Sequence, residues 1–155
     1  MITIKEAWSS ADIQSIRQLF LEYADWLNID LCFQSFDEEL ATLPGEYAPP
    51  DGSLLLAENQ GIKVGCAALR KIGDSIGEIK RLYVVPEYRG QGIGRQLIKT
   101  IINNAKKIGF SRLRLDTLSD MKAARHLYTS LGFREIPSYY HNPIEGAVYM
   151  ELILN

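Results

Sequence analysis

Residues 84–97 read VVPEYRGQGIGRQL. Gly90, Gly92 and Gly94 fall close together there, with Arg89 and Arg95 on either side. Glycine loses more backbone freedom on folding than any other residue, so glycines at this density cost stability. An apolar, strand-like run comes before the loop and a helix-like run comes after it. A loop that opens a helix presents free backbone N–H groups, and the helix dipole adds partial positive charge at the same place. Together they make an anion site. Bare backbone lets a bulky phosphate come close, and the two arginines can pair with its oxygens. The chemistry this stretch suits is the cradling of a phosphate or pyrophosphate.

The kind of phosphate is narrowed by what the loop lacks. A dinucleotide fingerprint needs G-x-G-x-x-G, but the sixth position from Gly90 is Arg95, and from Gly92 it is Leu97. A triphosphate loop needs Gly-Lys followed by Ser or Thr, which is absent here. The pattern present is R-x-x-G-x-G, as Arg89, Gly92 and Gly94.

The loop must be held by the elements around it. ITIKEAW alternates and reads as a first strand. Ser9, Ser10 and Asp12 are candidate caps for a helix carrying Ile13, Ile16, Leu19, Phe20, Tyr23 and Leu27 at helical spacing. A shorter helix is expected at SFDEELATL, and PGEYAPPDG reads as a loop. SLLLAEN and GIKVGCAALRKI form a hairpin, and IGEIKRLYVV a third strand ending at Pro86. A helix follows from about Gly92 to Ile108, then the strand RLRLDT, then a helix closed by Gly132. FREI and AVYMELIL are the last strands, with PSYYHNPIEG between them. The helix between the third strand and RLRLDT implies one parallel pair in a mixed sheet. The expectation is one α+β domain over residues 1–155.

LYVVPEYRGQGIGRQLI resembles the acetyl-CoA-binding motif of the GNAT superfamily of N-acetyltransferases, and AARHLYTSLGFREI resembles the motif that follows it there. The element order is similar over nearly the whole chain. The resemblance implies a GNAT-like, mostly antiparallel sheet with a splayed parallel strand pair, flanked by about four helices. It implies acetyl-CoA as co-substrate. The pantetheine arm would pair with the backbone of Leu82, Tyr83 and Val84. The pyrophosphate would lie on Arg89, Gly90, Gln91, Gly92, Ile93, Gly94 and Arg95.

The same resemblance makes Tyr128 the general acid for the departing thiolate. A phenol is protonated at neutral pH and can serve in that role. Against this stands a core tyrosine packing beneath the sheet. Glu78 is the expected base, acting through a water; the plain alternative is a solvent-facing strand residue paired with Lys80 or Arg81. Asp116 and Glu46 are weaker candidates. Where many members of the family have an asparagine that bonds the pantetheine arm, this chain has Met121, so that bond is lost or comes from Ser119 or Lys122.

Tyr47, Tyr139, Tyr140, His141 and Asn142 lie in the two variable segments and could line an acceptor pocket, a mix that suits a small polar molecule. The leading expectation is transfer of acetyl to a primary amine of a small molecule. A protein or peptide acetyltransferase of the same fold, or a non-catalytic acyl-CoA-binding module, are the alternatives. His126 reads as a solvated helix residue.

Composition bounds the rest. The 155 residues are 46% hydrophobic and 23% charged, with a net charge of −2, which is no electrostatic footprint for nucleic acid or a membrane surface. Cys66 sits in an apolar run and reads as core, and with Cys32 it makes no disulfide framework. The N-terminal stretch reads as neither signal nor anchor, so a cytoplasmic location is expected. No His/Cys/Asp cluster has metal spacing, so no metal is expected. A homodimer is compatible with the resemblance.

Overall fold

The structure, a computed structural model, describes residues 1–31 and 35–154. Cys32 lies outside these residues. Seven strands form one sheet: β1 (Ile2–Glu6), β2 (Ser53–Asn59), β3 (Ile62–Gly73), β4 (Ile76–Val84), β5 (Arg112–Leu118), β6 (Arg134–Ile136) and β7 (Ala147–Ile153). Four helices join them: α1 (Ser10–Leu27), α2 (Phe36–Thr42), α3 (Ile93–Ile108) and α4 (Lys122–Ser130). The spatial order is β1-β2-β3-β4-β5-β7-β6. β4 and β5 are parallel, and every other neighbouring pair is antiparallel. The mixed sheet and its parallel pair are as the element order predicts.

Helix α1 starts where local chemistry says it should. Ser9 caps α1: its Oγ accepts from the Asp12 N–H at 3.0 Å, and the Asp12 carboxylate accepts from the Ser9 and Trp8 N–H groups. Of the three candidate caps the first is used. Ile16, Leu19 and Phe20 form the buried stripe of α1. In α3 the stripe is Ile93, Leu97, Ile98, Ile101 and Ala105. Both helices pack against β3 and β4. Val64 to Leu69 of β3 are buried without a break, so both faces of the sheet are covered there. Cys66 is fully buried within that run, as its apolar setting predicts.

β4 departs from a plain core strand in two ways. Glu78, Lys80 and Arg81 are all buried in it, although charged residues are rarely buried without partners. Its pairing with β3 also slips. Cys66 pairs with Tyr83 and Ala68 with Lys80, so β4 has one more residue than β3 between these pairs. This is a β-bulge, and Arg81 in it has φ +61°. The ladder to β5 runs only from Ile76↔Arg112 to Glu78↔Arg114. Beyond Glu78 the two strands part.

Candidate active site

Two cavities meet where β4 leaves β5. The first is a cleft lined by Ile79 to Leu82 of β4, Leu115 to Leu118 of β5, Tyr23 of α1 and Tyr128 of α4. The second is a groove of about 880 Å³ over the glycine loop, reaching from Trp26 and Tyr83 to Arg95, Lys122 and His126. A volume of that order suits a cofactor-sized molecule. Leu27, Leu82, Leu118, Met121 and Ala124 line both cavities, so the groove runs into the cleft.

Two of the loop's glycines are required by the backbone. Gly90 and Gly92 have φ of +82° and +79°, where a side chain is strained. Gly92 is the N-cap of α3. The first N–H groups of α3 have no partner within the helix and lie along the groove. Gly94 has no such backbone constraint, and an added Cβ would meet Leu127 at 3.6 Å, an ordinary contact. Gly94 lines the groove.

The flanking arginines are both occupied. Arg89 donates from Nε to the Val84 carbonyl at 2.8 Å, and its guanidinium lies 4.5 Å from the Trp26 ring centroid. Arg95 donates to Ser130 Oγ at 2.9 Å. Sequence reasoning did not find Trp26. It is far from the loop in the chain, and only the packing of the end of α1 over β4 brings it there.

Tyr128 is buried, borders the cleft, and packs on Phe133 with ring centroids 5.7 Å apart. Burial, with smaller contributions from Tyr23 and Asp116, pushes its phenol well above the ordinary tyrosine range. The group is therefore held protonated.

Glu78 is 2% exposed and does not border the cleft. It does not face solvent; its ion-pair partner is Arg70, directly opposite on β3, which donates to Oε1 at 2.8 Å. Oε2 accepts from the Tyr139 hydroxyl at 2.6 Å. Arg70 also donates to Glu46, which thus serves as an ion-pair partner. Asp116 does border the cleft. Its Oδ2 accepts from the Tyr140 hydroxyl at 2.5 Å and from the Asn142 amide at 3.0 Å.

Tyr139, Tyr140 and Tyr149 pack ring to ring. Burial first, and then Glu78 for Tyr139 and Asp116 for Tyr140, raise both phenols. The loop between β6 and β7 reaches the cleft itself through Asn142 and Ile144, while the two tyrosines brace the carboxylates behind it. Tyr47 is placed otherwise than expected. It is 2% exposed and packs edge-on against Phe20, so it is a core residue away from the cleft. A turn over Gly45–Tyr47 folds its ring inward.

At the departure from the asparagine pattern, Met121 lines both cavities and its sulfur accepts from Thr117 Oγ1 at 3.8 Å. Lys122 lines the groove. Lys80, which sequence reasoning considered only as a partner for Glu78, borders the cleft and approaches Asp116. Burial lowers the pKa of its ammonium, against the opposing pull of Glu78 and Asp116. Among the described residues no group of three His, Cys, Asp or Glu is placed to hold a metal ion, and no helix is long and apolar enough to cross a membrane.

Comparison with known proteins agrees with this geometry. The model of the acetyltransferase (GNAT) family matches residues 13–133. An uncharacterized N-acetyltransferase of Schizosaccharomyces pombe is 41% identical over 153 residues, covering 97% of this chain and 94% of its own. A GNAT-family acetyltransferase of Staphylococcus aureus superposes with a TM-score of 0.82 at 23% identity, over 100% of both chains. The Thermoplasma acidophilum paia N-acetyltransferase, solved in complex with coenzyme A, superposes with a TM-score of 0.78 at 21% identity, over 99% of both chains. The groove over a glycine-capped helix, the strands that part beside it and these likenesses together show that the chain belongs to the acetyltransferase (GNAT) family and is an acetyl-CoA-dependent acyltransferase.

Proposed function

We propose that this chain, working as a single domain, moves acetyl from acetyl-CoA to a primary amine of a small molecule by direct attack. The observation that carries the reading is the junction of groove and cleft. The pyrophosphate would rest on the α3 N-terminus, and the pantetheine arm would follow the backbone of Leu82 to Val84. The thioester would then lie where the two cavities join, beside Tyr128. The amine would come from the Asp116 side.

An ammonium acceptor first gives one proton to a carboxylate and so to solvent. The neutral amine's lone pair then forms the N–C bond, and a backbone N–H at the β4 bulge can stabilise the oxyanion. The C–S bond breaks, and the sulfur takes the Tyr128 proton. The second N–H proton restores the phenol. The products are an amide and CoA.

Asp116 borders the cleft and takes the first proton directly in this reading. Glu78, the expected base, accepts from the Tyr139 hydroxyl, does not border the cleft, and would act only through a water. The Tyr139, Tyr140 and Asn142 bonds hold the β6–β7 loop down on both carboxylates. A side closed in this way favours a small acceptor over an extended peptide. The cytoplasm is the setting proposed for the enzyme.

Release of free thiol from acetyl-CoA, measured over a panel of amines, tests the reading. Turnover with a small amine supports it and excludes a non-catalytic binding module. Turnover with peptide amines alone would replace the small acceptor with a peptide. Asp116→Asn and Glu78→Gln, compared at equal folded concentration, separate the two carboxylates.

A further inference from the structure

The charges bordering the cleft point to a class of acceptor, an argument that rests on reading the cleft as the acceptor site. Lys80 comes from β4 and Asp116 from β5, with side chains only 5% and 11% exposed. Their charged ends, Nζ and Oδ1, are 4.0 Å apart, the longest ion-pair distance among the described residues. Two neighbouring cations have carboxylate partners of their own. Arg81 meets both oxygens of Glu39 at 2.8 and 2.9 Å, and Arg70 meets Glu78 and Glu46 at 2.8 and 2.7 Å. Asp116 is oriented by the Tyr140 and Asn142 donors on Oδ2, with Oδ1 toward Lys80. An ammonium donates through three N–H groups and a carboxylate accepts at about four lone-pair sites, so a ligand that carries both groups complements the pair.

A free α-amino acid carries its nitrogen and a carboxylate oxygen about 3 Å apart by covalent geometry. That span is close to the Nζ–Oδ1 separation. Laid antiparallel to the pair, the ligand places its amino group on Asp116 and its carboxylate on Lys80. It then brings no net charge into a buried site, which lowers the desolvation cost. An amine without a carboxylate brings a lone positive charge beside Lys80, which repels it. Ile29, Leu31, Ile79, Leu115 and Ile144 make much of the remaining wall, and they suit an apolar side chain. We infer that the acceptor is an apolar α-amino acid, its carboxylate held by Lys80 and its amino group by Asp116, and that the products are the N-acetyl amino acid and CoA.

The test uses the full chain with saturating acetyl-CoA and follows free thiol. Leucine, methionine and phenylalanine are each compared with their primary amide and their decarboxylated amine. The free acids should exceed the amides in kcat/KM by about tenfold or more, the usual size of a charge-assisted hydrogen bond. Lys80→Met, which keeps the length of the stem without its charge, should bring the acid-to-amide ratio close to one. Amides or decarboxylated amines used as well as the acids overturn the inference. So does a Lys80→Met variant that lowers acids and amides alike. If that variant does not fold, the parent's acid-to-amide ratio decides alone. Acetyl-CoA binding is followed in parallel by thermal shift. Binding without turnover of any amino acid overturns the inference and leaves the donor site standing, whereas absence of both binding and turnover removes the donor site as well.

Discussion

The guanidinium of Arg89 lies 4.5 Å above the Trp26 ring and 5.6 Å from that of Tyr83, while its Nε holds the Val84 carbonyl at 2.8 Å. One side chain thus covers a backbone acceptor that the pantetheine arm would use. Binding of CoA should move Arg89 off Val84 and disturb its stack on Trp26. Trp26 and Trp8 are the only tryptophans, so emission measured in a Trp8→Phe background reports Trp26 alone. A shift on adding CoA is expected. Trp26→Ala removes a cation–π contact worth about 0.5–1 kcal/mol at an exposed site, and should tighten CoA binding about two- to fivefold. Arg89→Ala should weaken it, because in the proposed complex the displaced guanidinium would pair with the phosphates. A weaker complex in Trp26→Ala would make the ring a CoA platform instead.

Gly92→Val should lower acetyl-CoA affinity steeply. Its φ of +79° is strained for any side chain and most of all for a β-branched one. In the free protein an added Cβ meets nothing within 4 Å, so the fold should persist at a cost of about 1–2 kcal/mol. Circular dichroism checks the fold and calorimetric titration the affinity. Unchanged affinity would show that the loop does not face the phosphates.

Tyr128→Phe should lower kcat by about a hundredfold, the usual share of a positioned acid, with little change in acetyl-CoA affinity. The acid must be protonated to act, and burial raises its pKa. Tyr128 therefore stays competent as pH rises, and any alkaline fall in the parent's rate between pH 8 and 10 should remain in Tyr128→Phe. Steady-state rates over that range check both points. A rate within about threefold of the parent would withdraw the acid role.

A pH effect on stability should come from the cluster around Lys5. Asp12 is raised by burial but lowered more by Lys5 and by the Trp8 and Ser9 N–H groups, so its net pKa is depressed. Glu58 is depressed by Lys5 and Lys63. A depressed carboxylate stabilises above its unfolded pKa, near 4, and loses that contribution as pH falls through its folded pKa. Lys5→Met should therefore lower the melting temperature at pH 7, and the gap to the parent should close below about pH 4. A gap that persists at acid pH would assign the loss to packing instead.

The elements were legible in the sequence because their signals are local. The α1 stripe, the Ser9 capping box and Gly132 at φ +102° act within a few residues of themselves. The glycine loop was legible for the same reason, since Gly90 and Gly92 need their left-handed backbone where they stand. The GNAT motifs lie in these same local stretches.

What the sequence determined by itself was the order of elements, the parallel pair and the donor loop. Tertiary structure decided who faces whom. A loop rich in proline and glycine reads as exposed, yet Phe20 draws Tyr47 into the core. Glu78 has Lys80 and Arg81 beside it in the chain, but the β3–β4 register sets Arg70 opposite it. The bulge at Arg81 and the end of the β4–β5 ladder at Glu78 open the cleft, and they turn Lys80 and Asp116 toward each other. Their nearness depends on strand pairing between residues 36 positions apart. No local propensity carries that information: a side chain's partner is set by register and packing across the sheet, and one residue of slip would reverse its face.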